Sequence, residues 1–116
     1  MDAVFYRGTT PSITCEVEMD LTDWSCYLSV GLKENKPWFT ADNSQMTIDV
    51  DTSGETPVST LVFTLTQAQT LACKTSDAHI QLRAIKDGTA LATDWGEITI
   101  GGIIKDGAIT DDYDTD

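Results

Sequence analysis

The chain has 116 residues, 41% of them hydrophobic, enough for one domain with its own buried core and too apolar for wholesale disorder. Seven basic residues stand against nineteen acidic ones, a net charge of −12; residues 106–116 hold five acids and no base, leaving 14 acids against 7 bases, −7, in the first 105. A surface this negative repels phosphate backbones and anionic bilayers, which sets nucleic acid and membrane aside as partners.

The opening MDAVFYRGTT has an acid where a signal peptide has its positive region, and no long apolar core follows. Arg7 and Gly8 read as a turn into the first long strand, with Pro11 rigid at its start. From there the pattern is period two. In SITCEVEM, residues Ile13, Cys15, Val17 and Met19 share one face, which predicts a half-buried strand of an antiparallel sheet. WSCYLSVGL repeats the pattern, with Trp24, Cys26, Leu28, Val30 and Leu32 facing one way and Tyr27 and Ser29 the other.

KENKP is a polar loop, and PWFTA a short edge strand, since Pro37 cannot donate to a ladder. QMTIDV places Met46, Ile48 and Val50 inward; after the loop DTSGETP, VSTLVFTL does the same for Leu61, Phe63 and Leu65. TQAQTLACK breaks the alternation: Thr66 caps a helical turn, with Gln69 completing a capping box and Leu71 and Cys73 anchoring it over the core. This turn, near 66–73, is a crossover between sheets. DAHIQLRAI puts Ala78, Ile80, Leu82 and Ala84 on one face, with His79, Gln81 and Arg83 on the other. Asp87–Gly88 is a hairpin turn, and the return strand runs from Leu91 through Trp95 to Ile100. IIKDGAI is a short apolar appendage, and the acidic tail at 106–116 is expected to be disordered.

Seven to eight short strands with at most one helical turn predict an all-β domain over 1–105, an immunoglobulin-like antiparallel β-sandwich without the cysteine pair that brackets a tryptophan in antibody domains. A small barrel is the alternative.

Little in this pattern carries catalytic chemistry. His79 is the single histidine and sits in phase with the polar face of a strand, whereas catalytic groups favour loops on a rigid scaffold. Asp49, Asp51, Ser53 and Gly54 follow the first positions of a calcium loop, but Thr60 stands where the bidentate glutamate belongs. The segment reads instead as a polar hairpin loop with Gly54 supplying an unusual backbone angle. Cys15, Cys26 and Cys73 form no CxxC pair and read as reduced core residues. Trp24, Trp38 and Trp95 offer a sugar platform or core, and core is the stronger reading. No catalytic residue, metal site or cofactor is expected.

The segments YRGTTPSITCEVEMDLTDW and FTLTQAQTLACKTSDAHIQLRAIKDGTALATDWGEITIGGIIKDG resemble a group of small phage and prophage structural proteins. The matching residues are Arg7 to Pro11, Thr64 to Leu71, Ile80 to Arg83, Asp87 to Thr93 and Ile103 to Ile109. The layout is similar to the immunoglobulin-like N-terminal module of phage baseplate upper proteins. The resemblance implies a non-enzymatic virion module of baseplate, tail or neck, made in the bacterial cytoplasm without a signal peptide. Its partners would be other virion proteins or copies of itself, in a homo-oligomeric assembly. The alternative is a carbohydrate- or cell-surface-binding sandwich. Candidate interface residues are Trp38 and Phe39 on the PWFTA edge, Ile103, Ile104 and Ile109 in the appendage, and Arg7, which either pairs with one of the acids or meets a partner subunit.

Overall fold

The computed structural model describes residues 2–33, 36–93, 96–105 and 107–109. Among them are nine strands: β1 (Asp2–Tyr6), β2 (Ser12–Val17), β3 (Ser25–Gly31), β4 (Pro37–Ala41), β5 (Met46–Asp51), β6 (Val58–Thr64), β7 (Ser76–Lys86), β8 (Thr89–Ala92) and β9 (Gly96–Gly101). A 3-10 turn spans Asn43–Gln45, and one short helix, α1, spans Gln67–Leu71. The larger sheet runs β1-β9-β7-β3-β4, with β8 paired to the far half of β7; the smaller runs β2-β6-β5. This is the strand order of an immunoglobulin-like sandwich, β4 standing where variable-type domains add a strand beside the third.

The core sits between the sheets and follows the period-two pattern. Cys26, Leu28 and Val30 from β3, Ala78, Ile80, Leu82 and Ala84 from β7, Ile98 and Ile100 from β9, and Leu61 and Phe63 from β6 are all buried. Each large aliphatic or aromatic side chain removed from water in this way stabilises the fold by roughly 1.5–3 kcal/mol. Trp24, Trp38 and Phe39 are half-buried and pack against this core. Asp87 and Gly88 both have positive φ, 50° and 82°, the type I′ geometry that matches the twist of the β7–β8 hairpin.

Helix α1 crosses between the sheets behind the predicted capping box. Thr66 Oγ1 accepts from Gln69 N at 3.1 Å, and Gln69 Oε1 accepts from Thr66 N at 3.0 Å. Gln69 also exchanges two amide hydrogen bonds with Gln45, of 2.6 and 2.7 Å, tying α1 to the 3-10 turn.

Several expectations are corrected. The sheet is not wholly antiparallel: β1, a ninth strand, pairs with β9 in parallel, Val4 opposite Thr99 and Tyr6 opposite Gly101. The turn at Asn43–Gln45 is a second short helical piece, capped by Asp42, whose carboxylate accepts from Ser44 N. Leu32 is exposed, not inward. A Cβ on Gly31 would lie 2.7 Å from the Lys36 carbonyl oxygen, so the chain folds back directly onto Gly31 and the alternation ends there. Ile48 faces buried Leu61 but remains 39% exposed, because β5 is an edge with nothing beyond it among the described residues. Gly54 is not among the residues of positive φ; the turn after β5 is held by Asp51, which accepts from Ser53 N at 2.9 Å. Trp95 and, in the acidic tail, Asp106 and residues 110–116 lie outside the described residues.

Candidate interaction site

Three of the sequence segments singled out above meet at one end of the sandwich. The first is the Arg7–Pro11 turn that carries the chain from the larger sheet to the smaller. Arg7 N donates to Gly101 O at 3.0 Å, extending the β1–β9 pairing by one residue. The chain then turns at Gly8, with φ of 75°, and Thr9 Oγ1 donates to Tyr6 O at 2.6 Å. Leu65 N donates to Pro11 O at 2.9 Å, which fixes the entry into β2.

The second segment is α1 and the residues after it. The last carbonyls of a helix have no partner within it. Here the Arg7 guanidinium supplies donors, Nε to Cys73 O at 2.9 Å and Nη2 to Leu71 O at 3.0 Å. Through these two bonds Arg7 clamps the end of α1. Thr70, fully buried, donates through Oγ1 to Thr9 O at 2.9 Å, joining helix and turn from the other side.

The third segment is the chain after β9. Ile103 is half-buried over the turn: a Cβ on Gly8 would lie 3.1 Å from Ile103 Cδ1 and 3.4 Å from Leu71 Cδ2. Further along, the Gln67 side chain closes a two-bond pair with the backbone of Ile109. Gln67 Nε2 donates to Ile109 O and Ile109 N donates to Gln67 Oε1, both at 2.7 Å. The chain after β9 therefore forms a strap, described over 102–105 and 107–109, that is held at Ile103 and at Ile109. Between these anchors Ile104 is wholly exposed, and Ile109 itself is 59% exposed.

The other candidates fall elsewhere. Trp38 and Phe39 lie on β4, which is the edge of the larger sheet as expected, but both side chains are half-buried against the core, so what that edge presents is mainly backbone. His79 sits on the outer face of the larger sheet, opposite Glu97 on β9 and Gly31 on β3. A shallow depression of about 430 Å³ opens there, lined by Val4, Asp77, His79, Glu97 and Thr99. None of its lining residues is a cysteine or serine. The three thiols are free, and burial raises the pKa of each. Cys73 is pushed up to about 11, the neighbouring Arg7 pulling it back only in part. Such thiols stay protonated at neutral pH. Among the described residues no three histidine, cysteine or acidic side chains converge as metal ligands. No helix among them is long and apolar enough to cross a membrane.

Thr70 and Gln67 were legible only as parts of the TLTQxxTL segment, and Leu71 only as an anchor over the core; their partners lie some 40 to 60 residues away in sequence, and no local signal announces the pairing.

No protein-family model matches the chain, and no curated protein matches it. Solved structures do: 19 chains match, among them the structure of the BTLA ectodomain. That structure is 12% identical with a TM-score of 0.39, and the match covers 88% of this chain and 89% of that one. The fold assignment above rests on the strand order itself.

Proposed function

We propose that this protein is a non-enzymatic structural module of a phage or prophage particle, acting through protein–protein contacts. The observation that carries the proposal is Ile104: a large aliphatic side chain left wholly exposed on a strap anchored on both sides of it. A solitary exposed isoleucine on a loose tail needs no explanation. One held in place on an ordered segment already has its backbone positioned, so docking it into a partner pocket costs little further ordering entropy. The motif resemblance set out above supplies the phage context, and the three segments that carry most of it are those that build this end of the sandwich.

The carbohydrate-binding alternative draws less support. It calls for aromatic side chains grouped on one sheet face. Trp24 and Trp38 pack against the core, while the exposed Tyr6 and Tyr27 stand on β1 and β3, separated by β9 and β7. At ~4.8 Å per strand they are roughly 14 Å apart across the sheet, too far to form one platform.

Quantitative mass spectrometry of particles released by prophage induction tests the proposal. The chain is expected in purified particles at a copy number matching a ring or lattice symmetry. Intact, infective particles lacking it would overturn the reading.

A further inference from the structure

The two outer faces of the sandwich differ in character. On the smaller sheet the outward positions are mostly threonine, serine and acids, with Glu16 and Asp49 flanking Thr60 from either side. On the larger sheet, Val4, Tyr6, Tyr27 and Ile85 are 70, 55, 41 and 43% exposed, four large apolar side chains on a single face. The charged side chains described at the outward strand positions of this face are Asp77, Glu97 and Arg83, a sum of −1 on a chain of −12. Among the described residues it carries less net charge than the outer face of the smaller sheet, so a second, equally acidic copy meets less repulsion here than there.

The charges are also placed in a complementary way. Asp77 and Glu97 line the depression with His79, Val4 and Thr99. Arg83 stands on the same strand and the same face, six residues further along β7, about 20 Å away at strand rise. Ile80 lies midway between Asp77 and Arg83. A two-fold axis crossing β7 at Ile80, in the plane between two facing sheets, lays Arg83 of each copy over Asp77 of the other.

We infer that the outer face of the larger sheet is a homodimer interface, in which Arg83 of each copy enters the depression between Asp77 and Glu97 of the other. Socket and knob reside on one surface, which is what an isologous contact requires. A guanidinium between two carboxylates makes charge-assisted hydrogen bonds, here beside the exposed Val4 that lines the same depression. This inference is independent of the strap: it uses a different surface, and either can fail alone.

The test is sedimentation velocity on the full chain across the micromolar range at physiological ionic strength. The wild-type chain is expected to dimerise reversibly. Arg83→Asp opposes two carboxylates, and Asp77→Arg opposes two guanidiniums, so each variant alone should weaken dimerisation by about tenfold or more. An equimolar mixture of the two variants restores both pairs across a heterodimer and should recover the wild-type affinity. Ile104→Asp should leave the dimer intact. A wild-type chain monomeric throughout overturns the inference, as do variants that associate like wild type, a mixture that fails to recover, or loss of the dimer in Ile104→Asp. Circular dichroism establishes that each variant is folded. If a charge reversal is not, Arg83→Gln and Asp77→Asn replace the pair; each should weaken the dimer, and an unchanged dimer overturns the inference equally.

Discussion

The side-chain amide of Gln67 and the backbone of Ile109 form a closed pair of 2.7 Å hydrogen bonds across 42 residues of sequence. One side chain thus does for the strap what a neighbouring strand does for a β-ladder. Gln67→Ala should release the strap beyond Ile103 and leave the sandwich standing. Because both bonds are solvent-exposed, global stability should fall by no more than about 1 kcal/mol. Hydrogen exchange should show the selective effect, with protection lost at the Ile109 amide and kept in β3 and β7.

Two buried hydroxyls should matter more than that exposed pair. Thr70 Oγ1 donates to Thr9 O at 2.9 Å. Ser59 Oγ donates to Met19 O at 2.6 Å and accepts from Leu21 N at 2.9 Å. Both residues are fully buried, so Thr70→Val and Ser59→Ala leave backbone groups with no partner. Each should cost about 1–3 kcal/mol in urea unfolding, and Thr70→Ser should recover part of the loss.

Gly8 and Gly88 both have positive φ, 75° and 82°, but differ in surroundings. A Cβ on Gly88 meets nothing within 4 Å, whereas one on Gly8 presses on Ile103 and Leu71. Gly88→Ala should therefore cost only the backbone strain, about 1 kcal/mol, and Gly8→Ala clearly more. Thermal unfolding of the two variants side by side checks the order. Gly8→Ala should also loosen Ile103 and mimic, in part, the exchange pattern of Gln67→Ala.

The pH dependence has two arms. Hydrogen bonds from Thr22, Ser44 and Ser53 hold the carboxyls of Asp20, Asp42 and Asp51 below the usual aspartate range. A depressed pKa favours the folded state above the ordinary carboxylate value, and this contribution fades as pH falls through the depressed values. At the other end, Cys73 is raised from 9.0 to about 11. The unfolded chain then ionises first, so the contribution is complete below pH 9 and is lost as pH climbs towards 11. Stability from urea titrations should therefore be flat through neutrality and fall at both ends. Cys73→Ser should make the alkaline arm shallower, with the raised Cys15 and Cys26 thiols supplying what remains.

Much of the fold could be read from local pattern. The alternations around Cys26–Val30, Leu61–Leu65 and Ala78–Ala84 mark strands because one face of each is buried, and period two is the direct trace of that burial. The Asp87–Gly88 turn and the Thr66–Gln69 capping box were equally legible, each being chemistry within four residues. What escaped was non-local. Nothing within Asp2–Tyr6 states that it pairs in parallel with Glu97–Gly101, some 95 residues on. Arg7 reads as a surface cation until the carbonyls of Leu71 and Cys73 are in place around it. Ile104 was legible as too apolar for a free tail, but its isolation between two anchors depends on Gln67 and Gly8, residues that alternation does not reach.

The account centres on Ile104 as the residue that docks. Replacing it by aspartate in the prophage, inducing, and counting copies of the chain per purified particle tests this most directly. The substitution alters a side chain in full contact with solvent, so the isolated protein should melt as wild type does. The account predicts that copies per particle fall by about tenfold or more, as the loss of an anchor side chain implies. A folded Ile104→Asp chain incorporated at the wild-type copy number would contradict it.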